Sequence, residues 1–211
     1  MTPTDDELLD RWVAVAGERN RCAGTDLVTR YREPHRRYHT VDHLTAMLRA
    51  IDRLAADADD VTAVVLAAFF HDAIYVIGAP DNEDRSAELA ESVLTAAEFD
   101  PATVAEVVRL VRLTAAHAPE PGDRNGAVLC DVDLAVLGGS AADYAAYTAA
   151  VRAEYATVPD DLFRGGRAAV LQSLLDLPRL FHAEIARAAY EVAARANLST
   201  ELRELRSARP A

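Results

Sequence analysis

The sequence predicts an all-α fold in a single domain, and three observations point there. Alanine is abundant while aromatic residues make up only 6% of the chain, and alanine is the strongest helix former. Apolar residues recur at three- and four-residue spacing between residues of the kind that cap helices. No stretch alternates apolar and polar side chains as a half-buried strand must.

The elements follow in order. Thr4 is placed to cap a first helix running to about Arg21, with Asp5, Asp6 and Glu7 in its first turn, where the helix dipole favours acids. A short helix is expected over Asp26 to Glu33, ending before Pro34. Thr40 reads as the N-cap of a third, with Asp42 in the first turn and Leu44, Met47, Leu48, Ile51 and Leu54 on one face. Val61 to about Tyr75 is apolar almost all round, the pattern of a central buried helix. Another helix starts near Asn82. Asp100 caps the next, with Pro101 at its first position and Val104, Val107, Val108 and Val111 on the helical period. "PEPGDRNG" reads as a loop, and "AVLCDVDLAVLGG" as a short helix stopped by glycines. Ser140 caps a further helix, and Pro159 and Pro178 punctuate two more.

A length of 211 residues fits one domain and is long enough to bury a substantial core. With 51% apolar and 27% charged residues, the composition is soluble and globular. The formal charge of −12 repels nucleic-acid backbones and anionic membranes, so neither is expected as a partner. A small anionic substrate stays open where arginines or a metal reverse the local field. There is no lysine, and every basic residue is arginine, which we read as genomic bias. Cys22 and Cys130 do not make a disulfide framework. The acidic start lacks a charged-then-apolar signal pattern, and the longest apolar run, Val61 to Phe70, is broken by Thr62 and too short to span a bilayer. A cytoplasmic location is the expectation.

The chain holds no HExxH, CxxC, GxSxG, P-loop or GxGxxG, and no ExxH pair of the di-iron bundle type. Histidine is scarce, six in all, yet three fall in two short windows, "RYHTVDHL" and "FFHDAIY". In the second window His71-Asp72 closes the apolar run. A buried carboxylate is usually paired or bound to metal, because an unpaired one costs several kcal/mol or takes up a proton. Imidazole and carboxylate together are ligands for borderline divalent metals. In the first window a four-residue step, or a cap at Thr40, brings His39 and His43 to the same helix end. Either window alone fits an ordinary helix terminus. The order His, His-Asp, then Asp131 or Asp133 is far more specific.

That order, His43, His71-Asp72 and Asp133 or Asp131, resembles the HD superfamily of metal-dependent phosphohydrolases. "EPHRRYHTVDHL", "FFHDAIY", "DNEDRSAELA", "LCDVDLAVLG" and "VRAEY" resemble successive blocks of a predicted HD phosphohydrolase subfamily, over roughly residues 30 to 180. "YHTVDH" is also similar to the YHNxxH of cyclic-nucleotide phosphodiesterases, with Thr40 in place of the asparagine. Val76 stands where subfamily members often carry an aspartate.

The resemblance implies an HD-type helical bundle and a metal-dependent phosphohydrolase, a phosphomonoesterase acting on a nucleotide or other small phosphate. It implies one divalent ion, manganese, iron, cobalt, nickel or zinc, on His43, His71, Asp72 and Asp133, with Asp131 as the alternative to Asp133. His39 would be the acid that protonates the leaving oxygen, with Asp72 acting in catalysis as well as ligation. Arg36 and Arg37 have the geometry to hold phosphate, or they face solvent. His117 is placed to bind phosphate or to meet the helix dipole. Asn82, Glu83 and Ser86 line the pocket or cap their helix. His35 and His182 read as structural, while Glu154 fits its block with no role that can be derived. Two other functions stand beside this one. An HD-type di-iron oxygenase needs more histidines between Asp72 and the last aspartate, where the chain has only His117. A non-catalytic nucleotide-binding module would bind without turnover.

Overall fold

A computed structural model describes residues 5–207, and every regular element among them is helical. The α-helices are α1 (Asp5–Ala16), α2 (Arg21–Arg30), α3 (Val41–Leu54), α4 (Val61–Phe70), α5 (Asn82–Ala96), α6 (Pro101–Leu113), α7 (Arg124–Asp133), α8 (Ala141–Glu154), α9 (Asp160–Asp176) and α10 (Glu184–Ser207). Short 3-10 turns occupy Glu18–Asn20, Ala55–Asp57 and Leu134–Gly138. The all-α expectation holds.

Helix α4 is the centre. Every side chain from Ala63 to Phe70 is buried, and α1, α3, α5, α6 and α7 all pack on it. A helix apolar on all faces can be stable only in such a position. Trp12 of α1 meets Phe69 and Phe70 edge-on, with ring centroids 5.3 and 5.9 Å apart, and its indole N–H donates to the Asn20 carbonyl at 2.8 Å. α5 and α6 form an antiparallel pair against α4, while α10 covers the 3-10 turn at Leu134–Gly138 and α9.

The caps read from sequence are present. Thr40 accepts from the Asp42 N–H, Asp100 from Ala102 and Ser140 from Asp143. Two more, Asp60 and Asp123, cap α4 and α7 through the N–H groups of Ala63 and Gly126. The Thr4 cap lies outside the described residues.

Several boundaries differ from expectation, among them the start of α7 at Arg124, inside the stretch read as a loop. The first helix stops at Ala16, not Arg21, because Gly17 turns the chain at φ +81°. The second starts at Arg21 and ends at Arg30, earlier than the Asp26 to Glu33 expected. The apolar helix ends at Phe70, not Tyr75. Its last carbonyls are taken by side chains in place of a further turn: the His71 Nδ1–H donates to Ala68 at 2.8 Å, and the Tyr31 hydroxyl lies 3.2 Å from the Phe69 carbonyl.

Gly24 of α2 lies against the indole of Trp12, so closely that an added methyl would run into the ring. Gly24→Ala should therefore destabilise despite the better helix propensity of alanine. An overpacking cost of about 1–3 kcal/mol is expected, seen as a lower urea midpoint with an unchanged slope.

Candidate metal centre

Three helix ends deliver the central groups. His43 is the third residue of α3, held by the Thr40 cap; His71 follows the last residue of α4; Asp133 is the last residue of α7. The His43 Nε2 lies 3.2 Å from the His71 Nε2 and 3.1 Å from Asp133 Oδ1. One donor atom from each residue falls within 4.8 Å of the others. Their side chains are 5%, 2% and 15% exposed.

The donor chemistry fits a divalent cation. The His71 Nδ1–H is committed to the Ala68 carbonyl, which turns the Nε2 lone pair of the neutral ring toward the trio. Such a backbone acceptor on the far nitrogen is the usual support of a metal-binding histidine. Two imidazole nitrogens and a carboxylate oxygen suit manganese, iron, cobalt, nickel or zinc better than calcium. Asp72, in the turn after α4, meets the trio at His71, with Oδ2 3.0 Å from Nε2.

Charge is distributed to match. Burial alone would lower the His71 pKa, but the Asp72 and Asp133 carboxylates carry it up to about 9. His43 is lowered, by burial first and by the neighbouring His71 charge as well. Burial works to raise Asp72, yet His71 and His39 hold it well below the usual carboxylate range. Asp133 is likewise held low against its burial, through hydrogen bonds from His117 and His43. His117 reaches Asp133 Oδ2 with Nε2 at 2.7 Å, from a left-handed backbone at φ +49° just beyond α6.

Asp131 is elsewhere. It is fully buried, and its two carboxylate oxygens accept the backbone N–H groups of His182 and Ala183 at 2.7 Å, at the entry to α10. Burial pushes its carboxyl up to about 7, against the two N–H groups that favour its charged form. Of the two aspartates, Asp133 is the one placed with the histidines.

His39 stands beside the trio, 22% exposed. Its Nδ1 lies 2.7 Å from Glu154 Oε2. The other Glu154 oxygen accepts the backbone N–H groups of Arg37, Tyr38 and His39, at 2.8, 2.8 and 2.9 Å, and the Tyr75 hydroxyl donates to Oε2 at 3.0 Å. Burial opposes this charge, but its partners hold Glu154 at about 2. His39 is raised despite its own burial, by Asp72 and then by Glu154. Sequence reasoning left Glu154 without a role. One signal was present: an acid in the last turn of α8, where the dipole disfavours it.

Arg36 departs from both expectations, and Arg37 meets the solvent-facing one. Arg36 is buried and its guanidinium is spent on Glu33 and on the carbonyls of His39, Asp72 and Ala73, at 3.1, 3.2, 2.9 and 3.5 Å. It lies over the rings of Tyr31 and Tyr75. Arg37 is exposed and bonds the carbonyls of Pro34 and Arg36. Neither lines the cavity in front of the trio, so neither is placed to hold a phosphate there. That cavity, about 750 Å³, is lined instead by His39, Asp72, His117, Asp133, Asn82 and Glu83 among others. Asn82 also fastens the preceding loop, accepting from the Val76 N–H and donating to its carbonyl, both at 2.9 Å. Ser86 Oγ does the same at the Ile74 N–H, at 3.0 Å. His35 bonds the Tyr75 carbonyl at 2.8 Å.

Comparison of the chain with family models, curated proteins and solved structures finds no match in any of the three. The all-helical frame with a buried His/His/Asp group is compatible with an HD-type fold and can hold a metal ion. No helix among the described residues is long and apolar enough to cross a membrane.

A cation must displace the proton that His71 keeps below pH 9. Affinity should therefore rise with pH, by about tenfold per unit for one displaced proton, levelling off near pH 9 in calorimetric titrations with Mn²⁺. Asp133→Asn and His71→Ala should lose the ion. Asp131→Asn should retain it while unfolding more easily by about 1–3 kcal/mol, the cost of mispaired buried N–H groups.

Proposed function

We propose that the chain is a metal-dependent phosphohydrolase that cleaves small phosphomonoesters. The observation that carries this reading is the His39–Glu154 pair: an imidazole on a cavity wall, backed by an ionised carboxylate, next to a His/His/Asp group. A buried acid on Nδ1 fixes the tautomer and raises the basicity of the ring, leaving Nε2–H for the leaving oxygen. The pairing supports a proton donor to an ester oxygen and gives a pure binding module no evident use.

His43, His71 and Asp133 would hold a divalent ion, which would supply a Lewis acid to lower the pKa of water and offset charge on phosphoryl oxygens. The chain's own groups do the rest. Asp72 is a fourth ligand candidate and the acceptor of a hydrogen bond from the attacking water; a carboxyl held so acidic is a weak base, so orientation is its larger contribution. His117, shared between Asp133 and the cavity, is a group that lines the site and can meet a phosphoryl oxygen once Arg36 and Arg37 are set aside. The oxygenase alternative has only His117 to add to the ligand set. The binding-module alternative predicts no turnover.

The test is phosphate release by the metal-supplemented protein from nucleoside phosphates, cyclic nucleotides and sugar and aryl phosphates; no release with any metal refutes the enzymatic reading. His39→Ala should keep its metal and lose about 10²–10⁴ in turnover, with aryl esters of acidic phenols hurt least. Loss of metal in this variant would give ligation to His39 and acid chemistry to His43. Glu154→Gln should move the alkaline fall of kcat to lower pH, because the removed charge is one that raises the His39 pKa.

A further inference from the structure

The cavity in front of the trio has a lining of two kinds. His39, Asp72, His117 and Asp133 make up one part. Another part is a wall of Val151 of α8 with Leu162, Phe163, Val170 and Leu174 of α9. Two polar side chains in that wall, Arg167 and Ser173, are already engaged, and Tyr155 lays its ring against Phe163 with centroids 5.7 Å apart. Arg167, 8% exposed, forms a two-pronged pair with Glu201 at 2.8 and 3.0 Å and reaches the Tyr147 hydroxyl at 3.0 Å. Ser173 donates to the Val170 carbonyl at 2.8 Å.

Much of the α9 part of that wall is not core. Within α9 only Leu171 is fully buried, while Leu162 and Val170 are 65% and 50% exposed. Apolar surface left wet in a concave site is surface that an apolar ligand removes from water with a gain. The edge of a base or the hydroxyls of a sugar would instead lose water along α9 with few partners in return.

We infer that the substrate is a phosphate ester whose alcohol portion is apolar, an alkyl or aryl group lying along α9, and not a nucleotide or sugar phosphate. The inference rests on the phosphohydrolase reading for its phosphate end and on the α9 wall for the other. It also narrows that reading, since a nucleotide was the substrate the sequence favoured.

The test uses ligands that cannot be hydrolysed. The full chain loaded with Mn²⁺ is titrated calorimetrically with methyl-, propyl-, butyl- and hexylphosphonate, and with 3-hydroxypropylphosphonate as a polar match for butyl. Affinity is expected to rise up to about fourfold per methylene, and the hydroxyl analogue to bind at least tenfold more weakly than butyl. Val170→Asp should cut the hexyl-to-methyl affinity ratio at least fivefold. Val192→Asp, on the exposed side of α10 at 84% exposure, should leave the ratio alone. A flat series, a hydroxyl analogue as tight as butyl, or no phosphonate binding at all overturns the inference. Phosphate release together with a flat series keeps the hydrolase reading and discards the apolar substrate; a steep series without release keeps only the apolar binding wall and discards the ester as substrate together with the hydrolase reading.

Discussion

The Arg36 guanidinium holds together two loops that the chain separates widely. It bonds the His39 carbonyl on one side and the Asp72 carbonyl, 36 residues away, on the other. Both loops lead to groups of the candidate centre and neither is part of a regular element, so their relative position depends on cross-links of this kind. The charge is buried, and Glu33 with two aromatic faces compensates it. A buried cation left without partners would be strongly destabilising, so the loops and the arginine hold one another in place. An arginine suits this position because its planar fork spreads five N–H donors over separated carbonyls, where an ammonium concentrates three at one point.

Around that link the site is assembled from helix termini. His43 sits at a start, while His71 and Asp133 sit at ends. Termini leave backbone groups unpaired, and here those groups become supports: the Ala68 carbonyl orients His71, and the N–H groups of residues 37 to 39 converge on Glu154. The acid at the close of α8 thereby connects a late helix to the loop that carries His39. The same economy appears at Asp131, whose two oxygens satisfy the entry to α10.

Much of this was legible in the sequence, and the reasons are specific. The caps at Thr40, Asp100 and Ser140 are local chemistry and were read directly. The apolar run of α4 announced its burial, because no exposed helix tolerates that composition. The gathering of His43, His71 and Asp133 was legible only through order and resemblance, since nothing in their spacing fixes how α3, α4 and α7 meet. The end of α4 at Phe70 was missed because the competing acceptors and donors come from Tyr31 and from a side-chain nitrogen, which periodicity does not register. Arg36 and Arg37 are adjacent and chemically identical, yet one is buried and the other exposed; tertiary context alone divides them. Asp131 and Asp133 flanked the apolar stripe almost symmetrically, and the turn of α7 between α3 and the segment entering α10 separates them. Glu154 was visible only as an acid at the wrong end of a helix.

The loose seat of α9 has a consequence for the history of such a protein. The groups around the His/His/Asp trio come from α3, α4, α7 and the loops beside them, all anchored in the core. The apolar wall of the cavity comes largely from a helix with one fully buried residue and two adjacent glycines, Gly165 and Gly166, that face open space. Substitutions along α9 can reshape what the cavity admits at little cost to folding, while those around α4 cannot. Selection can therefore retune ligand preference on one helix while leaving the buried machinery unaltered, so descendants of this chain can diverge in diet before they diverge in chemistry.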